Sequence, residues 1–287
     1  MPVTEAEIVD GLRGLGVGPS SVVIAHTSLR SFGQVEGGAA AVAGALVSAC
    51  GTLLVPASPG DLTGLSAPPG LVRPDNAYFN EPSWAAFDEA LERATAFSRD
   101  LPIDGELGAV PEAVRRLFPR ERGDHALFSY VAVGEEATAL IRAQRKDRPL
   151  GPLEVLAGMD GLVLLLGTDH TSNTMIHLAE QRLGRSLFYR YAKVGDGCWA
   201  EFPNIPGESH RFSELEPLLA PVTREARIGG CRARLIAARD VLRIADREIK
   251  EDPRAFLCDA PGCRCQAALR QRLSAMRSEA HATNHDG

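Results

Sequence analysis

The sequence predicts an α/β protein in which helices are layered on both sides of a mixed central sheet. Three observations carry that expectation. LVLLL at 162–166 is a continuous apolar run closed by Gly167, the pattern of a strand buried on both faces. SVVIAH, a glycine-containing loop, an alanine-rich run at 39–49 and TLLVPAS give β, loop, α, β by residue 58, the crossover unit of a parallel sheet. Helical and strand-like segments keep alternating as far as residue 180, as a layered α/β core requires.

In chain order, residues 4–15 set Ile8, Val9, Leu12 and Leu15 at helical spacing behind Thr4, with Glu7 completing a capping box. The first strand ends in His26, the helix at 39–49 stops at Gly51, and TLLVPAS is a second buried strand. Residues 58–82, with Pro59, Pro68, Pro69, Pro74 and Pro82, are expected to be an irregular rim or lid. A helix at 84–99, a polar turn LPIDGELG and a short helix at 110–118 with Pro111 near its start follow. FSYVAVG is a third strand, 135–144 a helix, PLGPLEVL a turn and 153–159 a short helix entering the central strand. After Gly167 the chain turns polar, and a helix is expected to start with Thr171 or Ser172 as its N-cap. FYRYAKV and CWAEFPNI around a GDG turn predict a β-hairpin, and ARLIAARDVLRIADREI at 233–249 an amphipathic helix or two short ones. The tail after His281 is expected to fray.

With 287 residues, 45% of them hydrophobic, the chain suits a single domain over 1–287. A net charge of −6 gives no basic field for nucleic acid or an acidic membrane, and suits a small cationic substrate. The N-terminus lacks a signal-peptide layout and no eighteen apolar residues run together, so a cytoplasmic protein, monomer or homodimer, is expected. Six cysteines make no disulfide framework, leaving free thiols or metal ligands.

The chemistry concentrates after the central strand. His170 falls at its carboxyl end, where open α/β sheets keep their ligand crevices, and His26 ends the first strand on the same side. Asn173 and His177 are four apart and His177 and Glu180 three apart, so these polar side chains can share one helix face. His125 and Ser129 flank the start of the third strand.

HTSLRSFGQVEGGAAAVAGAL, GTLLVPAS, RGDHALFSYVAVG and GLVLLLGTDHTSNTMIHLAE, in that order, resemble the successive motifs of the aminoglycoside 3-N-acetyltransferases, the antibiotic N-acetyltransferase family. The likeness runs from about residue 4 to residue 270, and the carboxyl part is similar to the branch whose best-known member acts on apramycin. It implies acetyl transfer from acetyl-coenzyme A to an amine, on a fold distinct from the GNAT acetyltransferases. By resemblance His170 is the general base, Glu180 the carboxylate closing its motif, and His26, a third expected catalytic residue, opens the coenzyme loop, in which Thr27, Ser28, Leu29, Ser31, Phe32, Gly33 and Val35 hold pantetheine and phosphates. His125 and Ser129 match the family's HP-x-x-S segment with Ala126 in place of proline, and Asp169, Asn173, Thr174, His177 and Glu180 are the expected substrate-binding residues.

An imidazole is the usual acceptor for the proton an attacking amine must lose, and contributes roughly 10²–10⁴-fold. A loop amide or Thr174 could polarise the carbonyl, and Glu180 could orient a histidine or hold a cationic substrate. The chain departs from the family at about 58–108, where PIDGELG has Leu107 in place of a methionine. Asp104 and Glu106 there are candidates for ammonium recognition or plain turn charges. A non-catalytic binder of an aminoglycoside or coenzyme, and an enzyme for a non-antibiotic amine, are the alternatives. In the segment at about 252–270, CDAPGCRC offers Cys258, Cys263 and Cys265 as three ligands of a structural zinc, with His210 or Cys231 as the fourth.

Overall fold

The computed structural model describes residues 1–71, 73, 75–77 and 79–283; Pro74 of the proline-rich loop and the end of the polar tail at 284–287 lie outside the described residues. The strands are β1 (Val22–Thr27), β2 (Thr52–Pro56), β3 (Gly64–Leu65), β4 (Glu121–Arg122), β5 (Tyr130–Gly134), β6 (Leu162–Leu166), β7 (Phe188–Gly195), β8 (Cys198–Ile205), β9 (Arg224–Ile228) and β10 (Cys231–Ala237). The helices are α1 (Glu5–Leu15), α2 (Gly38–Ala49), α3 (Gly60–Thr63), α4 (Trp84–Arg93), α5 (Ala109–Leu117), α6 (Ala137–Arg142), α7 (Gly151–Gly158), α8 (Thr174–Arg182), α9 (Glu216–Leu219), α10 (Ala238–Glu251) and α11 (Arg264–Thr283).

Among the described residues the main sheet has seven strands in the order β4-β5-β2-β1-β6-β10-β9. β1 runs parallel to β2 and β6, while β5 and β10 pair antiparallel on either side, so the sheet is mixed as expected. His26 lies opposite Leu165 and Thr27 opposite Leu166, which brings the carboxyl ends of β1 and β6 level. Alternation along the strands sorts the core into two layers. Ile24, Leu54, Val163 and Leu165 face α6, α7, α8 and α10; Val23, Leu53, Leu164 and Leu166 face α1, α2 and α5. Val163 to Leu166 are fully buried, the reason LVLLL has no polar phase. Truncating Leu164 to alanine would cost about 2–5 kcal/mol in transfer and cavity terms.

Several elements fall where the sequence predicts them. Thr4 and Glu7 form a capping box on α1, and β7 and β8 form the hairpin, though in a separate three-stranded sheet with β3. Other expectations need correcting. The predicted helix at 233–249 begins only at Ala238, because Cys231–Ala237 pairs along β6 on one side and β9 on the other. Arginine, alanine and leucine suit helix or strand, and the open edge of β6, whose backbone groups need partners, decides for strand. The helix expected from Thr171 or Ser172 starts at Thr174, since Asn173, not either hydroxyl, accepts the Met175 amide. The helix expected to reach residue 99 stops at Arg93. The proline-rich rim contains α3 and β3, and α11 was not foreseen.

Candidate active site

A cleft of about 540 Å³ opens beyond the carboxyl ends of β1, β2 and β6. Because β5 runs against β2, its first residues reach the same end of the sheet. The cleft is lined by His26 and Thr27 at the end of β1, Ser58, Gly60 and Asp61 after β2, Asp104 and Glu106 before α5, and Ser129 and Tyr130 at β5. Thr168, Thr171, Ser172, Thr174 and His177 line it after β6, with Arg190 and Ser209 opposite. Gly167 makes the turn out of β6 possible. Its φ is +68°, and a Cβ there would sit 1.8 Å from Ser31 Oγ.

His177 is the histidine that combines access with a carboxylate. One helical turn separates it from Glu180, and its Nδ1 is 2.7 Å from Glu180 Oε2. Glu180 is fully buried, and its other oxygen accepts a 3.0 Å hydrogen bond from Nε of Arg185, itself fully buried and also donating to the Pro253 carbonyl. Burial alone would raise the Glu180 pKa, but the bond from His177 and the charge of Arg185 outweigh it and hold the carboxyl below its usual range. An ionised Glu180 fixes the proton on His177 Nδ1 and leaves the Nε2 lone pair as the basic one. Phe212 packs edge-on against the imidazole, with ring centroids 4.7 Å apart.

His170, the expected base, is set back from the cleft. It is 1% exposed; Asn173 Nδ2 lies 3.2 Å from its Nδ1 and Glu216 Oε2 3.4 Å from its Nε2. Burial holds its pKa down to about 4 despite the pull of Glu216. The reason is rotational. The short turn at 170–172 aims His170 inward, against the Glu216 and Arg234 network, and α8 then presents Thr174 and His177 outward. Asp169 caps that turn through the Thr171 amide and hydroxyl and Asn173 caps α8, and neither is among the residues lining the cleft.

His26 lines the cleft with its pKa lowered by burial to about 4 and with Nε2 unpaired among the described residues. His125 is behind the wall, its Nδ1 accepting the Leu127 and Phe128 amides. Ser129 reaches the cleft, but its hydroxyl donates to the Ala57 carbonyl at 2.6 Å. Of the remaining coenzyme-loop residues, Thr27 lines the cleft and Ser28, Leu29, Ser31, Phe32, Gly33 and Val35 do not. Phe32 is core, Ser31 Oγ donates to the Ser28 carbonyl, the Ser28, Ser31 and Gly33 amides are spent within the chain, and Val35 bridges Val3. The Ser28, Ser31 and Gly33 amides and the Ser31 hydroxyl are therefore not free donors for phosphate, while the Thr27 hydroxyl is unpaired among the described residues.

Asp104 and Glu106 both reach the cleft. Asp104 is also a clamp, accepting Ser58 Oγ at 2.6 Å and the Gly60 and Asp61 amides at 2.9 and 2.8 Å. The sequence reading missed Arg185 and Arg122. The buried Arg122 donates to the carbonyls of Arg99, Leu101 and Ala57, tying the segment before α5 to the chain leaving β2, and burial lowers its pKa to about 10. An arginine in RERGD or GRSLF carries no local signal of burial; only its distant partners reveal it. Away from the cleft, His210, Cys258, Cys263 and Cys265 come together with ligand atoms within 4.8 Å of one another, while Cys231 is in the sheet core instead. Among the described residues no helix is long and apolar enough to cross a membrane.

Comparison with known proteins supplies the family. The family model described as aminoglycoside 3-N-acetyltransferase matches residues 24–250. Aminoglycoside N(3)-acetyltransferase VIII of Streptomyces fradiae is 31% identical over 273 residues, covering 84% of this chain and 90% of that protein. The crystal structure of YokD from Bacillus subtilis superposes with a TM-score of 0.76 at 25% identity, covering 89% of this chain and 96% of that one. A histidine-to-alanine variant of aminoglycoside acetyltransferase AAC(3)-IVa in complex with a gentamicin superposes with a TM-score of 0.73 at 26% identity, covering 94% of this chain and 98% of that one. With its layered sheet and a model match over most of its length, the chain belongs to the aminoglycoside 3-N-acetyltransferase family and is an N-acetyltransferase.

Proposed function

We propose that this enzyme moves the acetyl group of acetyl-coenzyme A to the 3-amino group of an aminoglycoside, with His177 as general base. The observation that carries the reading is the 2.7 Å pair of His177 and Glu180 opening on a cleft lined by Asp61, Asp104 and Glu106. Those carboxylates outnumber the one guanidinium there, Arg190, and favour a polycationic acceptor. In the reaction the amine nitrogen forms a bond to the thioester carbonyl carbon, and the carbon–sulfur bond breaks. The amine proton passes to His177 Nε2 and on to the leaving sulfur. Glu180 keeps Nδ1 protonated and stabilises the imidazolium, and Arg185 holds Glu180 in place. Ser172 and Thr174 offer hydroxyls on the same wall for the carbonyl oxygen.

AAC(3)-IVa has also been solved with apramycin, at a TM-score of 0.70 and 26% identity, which supports a small cationic aminoglycoside as acceptor. The test is release of coenzyme A thiol from acetyl-coenzyme A with gentamicin, apramycin, neomycin and simple polyamines, followed by NMR of the product. Acetylation at the 3-amino group of an aminoglycoside is expected. Turnover confined to simple polyamines, or a product modified at another amine, would refute the substrate assignment.

A further inference from the structure

We propose that His210, Cys258, Cys263 and Cys265 form a structural zinc site that fastens the C-terminal segment to one wall of the cleft. The four ligand atoms lie within 4.8 Å of one another, and Cys265 Sγ is 3.9 Å from His210 Nε2. With zinc–sulfur bonds of about 2.3 Å, a tetrahedral site needs its ligands about 3.8 Å apart, so a small contraction closes the set. Three sulfurs and one imidazole suit zinc rather than calcium or magnesium, and four protein ligands leave no position for water.

The surroundings fit the same role. Glu208 Oε2 lies 3.7 Å from His210 Nδ1, and its other oxygen is held by Arg264 at 3.0 and 2.8 Å. A carboxylate near Nδ1 favours the proton there and leaves Nε2 for a metal. Gly262, at φ +77°, lets the chain turn back between Cys258 and Cys263. Leu257, Ala267 and Ala268 pack beside the cysteines with Phe188 as a small satellite core.

The wall is what such an ion would fix. His210 stands between Ser209, which lines the cleft, and Phe212, which packs on His177. Pro253, a few residues before Cys258, accepts from Arg185, the partner of Glu180. Zinc would thus lock the segment supporting the His177–Glu180 pair without touching substrate. This second clause rests on the proposed use of that cleft; the metal itself does not.

Full-length protein purified without a metal-affinity tag is analysed for zinc by mass spectrometry, and its thiols are titrated in the native state. About one equivalent of zinc per chain is expected, with these thiols protected until a chelator is added. Replacement by cobalt should give the visible absorption of a tetrahedral thiolate site. Glu208→Gln, which keeps all four ligands, should weaken zinc about tenfold in competition with a chelator. Less than about a tenth of an equivalent of zinc, freely reactive thiols, or a disulfide among the three would overturn the site. Stripping zinc should lower the melting temperature and raise the acceptor KM several-fold. An unchanged KM with a lowered melting temperature would overturn the link to the cleft while leaving the metal.

Discussion

His170 and His177 stand seven residues apart in one motif, and the structure gives them opposite surroundings. His170 has neighbours on both ring nitrogens and is shut off behind the wall. His177 has a buried carboxylate on one nitrogen and the cleft before the other. A base needs a nitrogen open to substrate as well as a partner that fixes its tautomer and orientation, and only one of these two histidines has both. Burial weakens a histidine as a base, and at His170 it outweighs the pull of Glu216 and drives the ring down to about 4.

The most forceful way to break the comparison is to truncate each ring. His177→Ala should lower kcat by roughly 10²–10⁴-fold with little change in the coenzyme KM. His170→Ala should leave kcat within about fivefold and instead cost about 1–3 kcal/mol of stability, because Asn173 and Glu216 lose a buried partner. Thiol-release kinetics and chemical denaturation of both variants read the two effects, and an exchange of these phenotypes would return the base to His170.

Arg185→Met sharpens the account of what orients His177. It leaves the buried Glu180 without its counter-charge, with only His177 and Ser186 as hydrogen-bond partners, at a cost of about 3–5 kcal/mol. With its counter-charge gone Glu180 should hold a proton to higher pH, so the lower limb of the kcat profile should move upward. A destabilised variant whose pH profile is unmoved would make Arg185 a structural residue only.

The smallest and broadest effect is on stability against pH. His26, His125 and His170 each have a folded pKa of about 4, with burial the largest cause, below the value of an unfolded histidine near 6.5. The unfolded chain therefore binds more protons in that interval. Their contribution is complete above about pH 6.5 and is lost as pH falls toward 4, at about 1.4 kcal/mol per unit for each ring. Denaturation midpoints measured between pH 7 and 4 should fall accordingly. Replacing His26 with glutamine should make that fall shallower, and an unchanged slope would mean that His26 titrates normally.

Much of the fold was legible because it rests on local pattern. LVLLL, SVVIAH and TLLVPAS are strands buried on both faces, and continuous apolar runs announce such strands without reference to any partner. Thr4 with Glu7 announces a helix start for the same local reason. The boundary inside 231–251 was not legible. CRARLIA becomes a strand only because β6 offers it an unpaired edge, and nothing within those residues records that edge.

The candidate site divides along the same line. By itself the sequence determined that two strand ends carrying His26 and His170, and a helix carrying His177 and Glu180, meet at one end of a sheet. It also brought three cysteines within one loop. The tertiary structure alone decided which histidine faces the cleft, because a short turn at 170–172 before α8 sets the rotation of everything after it. It likewise chose His210 over Cys231 beside the cysteines, and set Arg185 behind Glu180. Patterns along a chain fix which faces are apolar. Which polar atoms end within about 3 Å of one another depends on how distant segments pack, and the chemistry of this cleft is decided at that scale.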